Sequence, residues 1–172
     1  MIYNSNASKY HRDMGKLLED LNLTGLGIYQ EYIVKDICPN HPNPLDRFDF
    51  YIPTLNLVIE VHGEQHYRPA AFGGISREKA SFNFAKGSIR DTEKALSAKQ
   101  SGLVYINFSY KEKFTQDLFA AKYEDAVAEL TVSGYAPPKE HISWAKQVYQ
   151  EQKRKGKTGF QKSTKFFKEN KE

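Results

Sequence analysis

The sequence contains a single cysteine, no long apolar run and only a small excess of positive charge. Cys38 has no partner for an internal disulfide, which suits a reducing compartment. No apolar stretch approaches the roughly 18 residues that span a bilayer, and the first residues lack the apolar core of a signal peptide. These absences predict a protein that neither spans a membrane nor is secreted, with the cytoplasm as its expected compartment.

The composition is that of an ordinary folded domain with a charged end. A length of 172 residues suits one domain, and 40% hydrophobic with 27% charged residues is neither disordered nor fibrous. The net charge of +4 is unevenly spread, since ten Lys/Arg and four Asp/Glu occur from Lys139 onward, against 15 and 17 before it. We therefore predict a folded domain over 1–138 and a basic, helical or flexible extension over 139–172.

Hydrophobic periodicity predicts a mixed α/β protein. The stretch 67–87 has no clean period and is predicted to be a long loop, after which Ser88 resembles a helix N-cap. A last helix is predicted within 141–155. The other predicted helices cover 8–22, 89–100 and 114–130, and strands are predicted over 29–37 and 103–110 as well as in the hairpin described next.

The most informative stretch is RFDFYIPTLNLVIEVHG, residues 47–63. Strict alternation predicts two antiparallel strands in which the numbers of opposed residues sum to 109, with one face apolar throughout. The other face then places Asp49 opposite Glu60. Directly opposed residues have Cβ atoms about 4.5–5.5 Å apart, so this register brings two negative charges together.

Two opposed carboxylates destabilise a hairpin unless something neutralises them. A shared proton would do so, but a hard divalent cation with oxygen ligands does so better and creates a binding site. The alternatives are that the acids splay apart in solvent or that Arg47 pairs with one of them. His62, Gln65 and His66 follow closely in the sequence and are predicted to converge at the same end of the hairpin. There, His62 would serve as a general base or stabilise charge.

The segment RFDFYIPTLNLVIEVHGEQHY resembles the catalytic hairpin of the restriction-endonuclease-like PD-(D/E)xK nucleases. The similarity is to the branch of very short patch repair endonucleases and related phage homing endonucleases. These proteins carry an aspartate in an R-x-D-F strand, followed by a strand that ends in E-x-D-G-x-Q-H. The later segment IRDTEKALSAKQSGLVYINFSY is similar to the D-x-x-K helix of the family, its glycine and the strand that follows.

The resemblance implies a restriction-endonuclease-like mixed β-sheet flanked by helices and a phage-type DNA endonuclease. Asp49 and Glu60 are then ligands of Mg²⁺, or of Mn²⁺, which activates water for phosphodiester hydrolysis. Lys94 or Gln65 orients the water or the phosphate, unless Lys94 is only a solvated helix charge paired with Asp91. The core family has Lys where this chain has His62, and the repair enzymes have His-Gly there. His66 completes the predicted catalytic set.

One departure from the family concerns the first helix. The branch commonly supplies a glutamate directly after a glycine, whereas here Gly15 is followed by Lys16. Glu19 or His11 are candidate replacements. The missing acid also fits altered metal use or lost activity, so a non-catalytic DNA-binding protein on a nuclease scaffold stays an alternative. A nuclease selective for junctions or mismatches is a further alternative, because the sequence does not separate it from a sequence-specific nicking enzyme.

The predicted partner is DNA, with no membrane partner, and a homodimer is left open. Basic residues of the extension would neutralise phosphates, while its phenylalanines stack on bases or pack on the domain. The alternative is a solubilising tail. Cys38 and His41 have the spacing of half a zinc site, although an incidental loop cysteine is the preferred interpretation. The predicted DNA contacts are Arg47, Arg90, Lys153, Arg154, Lys155, Lys157, Lys162 and Lys165.

Overall fold

The computed structural model describes residues 7–67, 69, 73–137, 140–144, 147 and 154, and of Gln65 only the backbone. The chain divides into two compact units, Met1–Glu140 and His141–Glu172. The fold below is that of the first unit. Most of the predicted last helix within 141–155, and all predicted DNA contacts of the extension except Arg154, lie outside the described residues.

The first unit contains three helices and four strands among its described residues. No helix in the described part of the chain is long and apolar enough to cross a membrane. The helices are α1 (Lys9–Asp20), α2 (Arg77–Gln100) and α3 (Gln116–Val132), and the strands are β1 (Tyr29–Ile33), β2 (Arg47–Ile52), β3 (Leu57–His62) and β4 (Val104–Ser109).

The strands form one mixed sheet in the order β1-β2-β3-β4. The pairs β1–β2 and β2–β3 are antiparallel, whereas β3 and β4 are parallel and α2 connects them. The predicted mixed α/β class is confirmed. The hairpin register is confirmed too, because Phe50 pairs with Ile59 and Ile52 with Leu57, which keeps the sum of 109.

A short turn joins the two strands of the hairpin. Residues Pro53–Leu55 form one short 3₁₀ turn, and Asn56 closes it in the left-handed region with φ of 47°. Asparagine tolerates that region better than most side chains. The Asn56 amide donates to the Pro53 carbonyl over 3.0 Å, so proline and asparagine together set the register that the alternating pattern predicts.

Helices pack on both faces of the sheet. On one face, His11 of α1 stacks on Phe50 and Phe119 of α3 stacks on Phe108 of β4. On the other, Ala98 of α2 belongs to a buried cluster with Val58 and other strand residues. The side chains that alternate with the apolar ones on β3, Glu60 and His62, therefore lie beneath a helix instead of facing open solvent.

The predicted loop over 67–87 is partly wrong. Helix α2 begins at Arg77, where the Ser76 hydroxyl accepts a hydrogen bond from the Lys79 amide over 3.2 Å. Ser88 is therefore inside the helix and not its N-cap. Ala80 is the sole buried residue in the first half of α2. That half is helical without a repeating apolar face, so hydrophobic periodicity did not predict it.

The loop before β2 is fastened to α2 by a buried histidine. His41 is fully buried, with Nε2 lying 2.7 Å from Asp46 Oδ2 and Nδ1 lying 2.7 Å from the Ser97 hydroxyl. Both ring nitrogens are engaged, so the Cys38–His41 spacing does not mark half a zinc site. The network instead holds the loop that leads into β2 against the helix that covers the sheet.

Candidate active site

The two strands of the hairpin separate where the same register, continued, would place Asp49 opposite Glu60. Backbone pairing ends at Phe50 and Ile59. Beyond that point the Val61 amide donates to Oδ2 of the Asp49 side chain over 2.7 Å, in place of a backbone carbonyl. The aspartate thus replaces part of the ladder, and its carboxylate is fixed beside β3 instead of splaying into solvent.

Lys94 reaches this carboxylate pair from α2. Its Nζ lies 2.6 Å from Glu60 Oε1 and donates to the Arg47 carbonyl over 3.1 Å. The side chains of Lys94 and Glu60 are only 9% and 2% exposed. The structure thus brings Lys94 to Glu60, and Lys94 is neither solvated nor ion-paired with Asp91.

One lysine does not neutralise the two acids. Burial raises the pKa of Glu60 well above its ordinary range, and the nearby negative charge of Asp49 raises it further. The Lys94 ammonium lowers the pKa of Glu60 only in part. An added positive charge or a bound proton would therefore stabilise the Glu60 carboxyl.

The donor set fits a hard divalent cation. Two carboxylates on adjacent strands are ligands of the kind that Mg²⁺ prefers. Because the Val61 amide holds Oδ2 of Asp49, Oδ1 is the oxygen that would bind the ion, together with a Glu60 oxygen. The added positive charge would also offset the repulsion from Asp49 that raises the pKa of Glu60.

Two histidines and an aspartate lie next to the pair. The rings of His62 and His66 stack with centroids 4.5 Å apart, and His66 Nδ1 lies 2.6 Å from Asp91 Oδ2. Burial lowers the pKa of His62, which keeps its imidazole neutral near pH 7. Although burial opposes it, the hydrogen bond from His66 lowers the pKa of Asp91. The side chain of Gln65 lies outside the described part of the structure.

The first helix contributes a histidine. His11 is buried, stacks on Phe50 with ring centroids 4.3 Å apart, and offers a nitrogen within 4.8 Å of carboxylate oxygens of Glu31 and Asp49. Glu19 is exposed. Lys16, which follows the glycine, pairs with exposed Asp20 at 3.2 Å. Of the two candidate replacements for the family's glutamate, His11 is the one beside the site.

The predicted DNA contacts of the first unit are both on the surface. Arg47 is exposed at the start of β2, one residue from Phe48 and two from Asp49. Arg90 is exposed on α2 and lines a surface groove with Lys86 and Ile89. In the second unit, Arg154 is helical and exposed. All three are accessible to a polyanion, and their contact with DNA stays a prediction.

Asp91 is the site residue that the sequence argument did not assign. It lies one turn before Lys94 on α2, so both side chains point to the same side of the helix. The D-x-x-K spacing was the available signal. The spacing does not predict which residue each side chain contacts. The contact of Asp91 with His66 depends on the short 3₁₀ turn Glu64–His66 after β3.

No family model, curated protein or solved structure matches the chain. The site therefore stands on its own geometry.

Proposed function

We propose that the chain is a metal-dependent endonuclease that hydrolyses phosphodiester bonds of DNA. The observation that carries the proposal is the buried contact of Lys94 with Glu60, 2.6 Å apart, next to Asp49. A lysine and two carboxylates in this arrangement suit phosphate chemistry, since the acids bind a cation and the ammonium attracts an anionic oxygen. An ion pair with only a structural role would not be stabilised by a second carboxylate beside it.

We also propose that the chain has a restriction-endonuclease-like fold. The four-stranded mixed sheet with helices on both faces agrees with a restriction-endonuclease-like fold. The R-x-D-F and E-x-H-G segments lie on adjacent strands, and the D-x-x-K segment lies on the helix that covers them. The resemblance in sequence and the arrangement in space thus point to the same class of nuclease.

Five residues of the site have roles in the proposed reaction. Asp49 and Glu60 would hold Mg²⁺ or Mn²⁺, which polarises the phosphate and lowers the pKa of an attacking water. Lys94 orients the phosphate or the water and limits the repulsion between the acids. His62 and His66 place imidazole nitrogens at the edge of the site, where they can accept a proton or bind a metal ion.

The test uses supercoiled plasmid with Mg²⁺, analysed for open-circular and linear product. We expect cleavage by the wild-type protein, no cleavage with EDTA, and no cleavage by the Asp49→Asn or Glu60→Gln variants. The Glu129→Gln variant is a matched control, because this glutamate is exposed and pairs with Lys99 at the far end of α2. It should cut like wild type.

The ratio of products separates a nicking enzyme from one that cuts both strands. Branched and mismatched duplexes are tested in parallel, because selectivity for such structures would leave plasmid intact. If no substrate is cut while DNA still binds, the chain is a DNA-binding protein on a nuclease scaffold. Cleavage that persists in both acid variants would refute the assignment of Asp49 and Glu60.

A further inference from the structure

A second group of metal-ligating side chains adjoins the carboxylate pair. His62, His66 and Asp91 each offer one ligand atom within 4.8 Å of the ligand atoms of the other two. The group differs from the carboxylate pair in chemistry, since two of its three donors are imidazole nitrogens. It draws on three elements: the end of β3, the 3₁₀ turn after it, and α2.

His62 supplies an independent observation. The residue is 9% exposed, and its Nε2 is fully buried without a hydrogen-bond partner among the described residues. A buried polar nitrogen in this state destabilises the fold. Such atoms are usually paired or explained by a function, and coordination of an ion is one way in which a buried imidazole nitrogen gains a partner.

The three side chains contact one another. Asp91 Oδ2 lies 2.6 Å from His66 Nδ1, and the stacked rings of His62 and His66 fix the angle between the imidazoles at 12°. Tetrahedral Zn²⁺ with bonds of about 2.0–2.1 Å separates its ligand atoms by about 3.3 Å. Coordination of one ion therefore requires His66 Nδ1 and Asp91 Oδ2 to move apart by about 0.7 Å. It also requires one imidazole to rotate out of the stack, because the lone pair of an imidazole nitrogen lies in the plane of its ring.

We infer that His62, His66 and Asp91 form a binding site for a divalent transition-metal ion of the Zn²⁺ class, separate from the Mg²⁺ site proposed at Asp49 and Glu60. Two imidazoles and one carboxylate favour such ions over Mg²⁺, which prefers oxygen ligands. Three protein ligands leave a coordination position open, as in catalytic zinc sites. The inference does not depend on nuclease activity.

The test uses Co²⁺ as a spectroscopic substitute for Zn²⁺, added to the full-length metal-free protein. We expect one equivalent to produce visible d–d absorption of a four- or five-coordinate nitrogen–oxygen site, and Zn²⁺, but not excess Mg²⁺, to remove it. His66→Ala and Asp91→Asn should each weaken Co²⁺ binding by at least about tenfold. Asp91→Asn conserves the shape of the side chain, so it tests the site even if His66→Ala lowers stability.

Asp49→Asn is the matched control. It removes a ligand of the proposed Mg²⁺ site and of the group formed by His11, Glu31 and Asp49, and should leave the Co²⁺ spectrum unchanged. The inference is overturned if no absorption develops, if the spectrum survives in both the His66 and Asp91 variants, or if Asp49→Asn abolishes it. Absence of d–d absorption together with plasmid cleavage would assign His62 and His66 to proton transfer alone.

Discussion

Lys94 of α2 and Glu60 of β3 form a buried contact, with Nζ and Oε1 2.6 Å apart. The contact joins the helix that covers the sheet to the central hairpin. It also places a cation beside two acids that one charge does not neutralise. The contribution of this contact to the free energy of unfolding therefore depends on how α2 packs and on the charges of the candidate site.

Replacing Lys94 by methionine should lower the free energy of unfolding by about 3 kcal/mol, because the substitution leaves Glu60 buried without its cation. Urea unfolding at pH 7 measures the change. Lys99→Met is the control on the same helix: its ion pair with Glu129 is largely exposed, and its loss should cost below about 1 kcal/mol.

The double variant Lys94→Met with Glu60→Gln should lose less stability than the sum of the two single variants, since neither charge then stays buried alone. Equal losses for Lys94→Met and Lys99→Met would show that the Lys94–Glu60 contact contributes no more than a surface pair.

Gly102 should resist substitution because of its backbone and its neighbour. It follows α2 with φ of +74°, and a Cβ there would lie 2.8 Å from Cδ1 of the Tyr135 ring. We expect Gly102→Ala to cost about 1–2 kcal/mol from the left-handed conformation alone, with a further loss from displacing Tyr135. Thermal unfolding measures it. Gly25→Ala, with no atom near the added methyl group, should stay within about 0.5 kcal/mol of wild type.

Glu112, just after the end of β4, gives a pH dependence of stability. Partial burial raises its pKa, but the Ser109 amide and the Lys122 ammonium outweigh this, and the net pKa is below its ordinary value. A lowered folded-state pKa stabilises the fold above the unfolded-state pKa, and the stabilisation is lost as pH falls through the folded-state value. Glu112→Gln should therefore cost about 1 kcal/mol at pH 7.

The difference between wild type and Glu112→Gln should shrink as the pH is lowered from 7 to 3. Urea unfolding of both proteins across this range measures it. A difference that stays constant with pH would mean that the carboxylate charge contributes nothing and that Glu112 acts through packing.

The basic extension should increase the salt dependence of DNA binding. Each phosphate contact contributes about −0.9 to the slope of log affinity against log salt for duplex DNA. Lys155→Gln with Lys157→Gln should therefore flatten the slope by about 1–2, measured by fluorescence anisotropy on a labelled duplex.

The matched control for the extension is Lys9→Gln with Lys16→Gln, which removes two exposed lysines that pair with Asp13 and Asp20. This variant should keep the wild-type slope. Equal slopes for both double variants would leave the extension without a role in phosphate contact.

The hairpin was predictable because its period of two is strict and one face is apolar. A slip by one residue would have moved Phe48, Phe50 and Ile52 to the face that carries Asp49 and Glu60. The alternation therefore predicted which side chains share a face, and the turn from Pro53 to Asn56 fixes the register. The first half of α2 was not predictable in this way. It carries Gly87 and is largely exposed, so its helical state depends on the Ser76 cap and on continuity with the buried half.

The site was predictable only where it follows the strand pattern. Asp49 and Glu60 follow from the register, and the D-x-x-K spacing identified Lys94. The contact of His66 with Asp91 and that of His41 with Ser97 join residues distant in sequence through turns whose geometry no local period encodes. Tertiary packing determines such contacts.

The uneven anchoring of α2 has a consequence for local unfolding. Its C-terminal half holds Lys94 and Ala98, both buried, and the hydrogen bond from Ser97 to His41, whereas its N-terminal half buries only Ala80. Backbone amides over 77–88 should therefore exchange with deuterated solvent through local fraying, while those over 94–100 exchange only when the sheet opens. The helix can unwind from its first turns without releasing Lys94 from the hairpin.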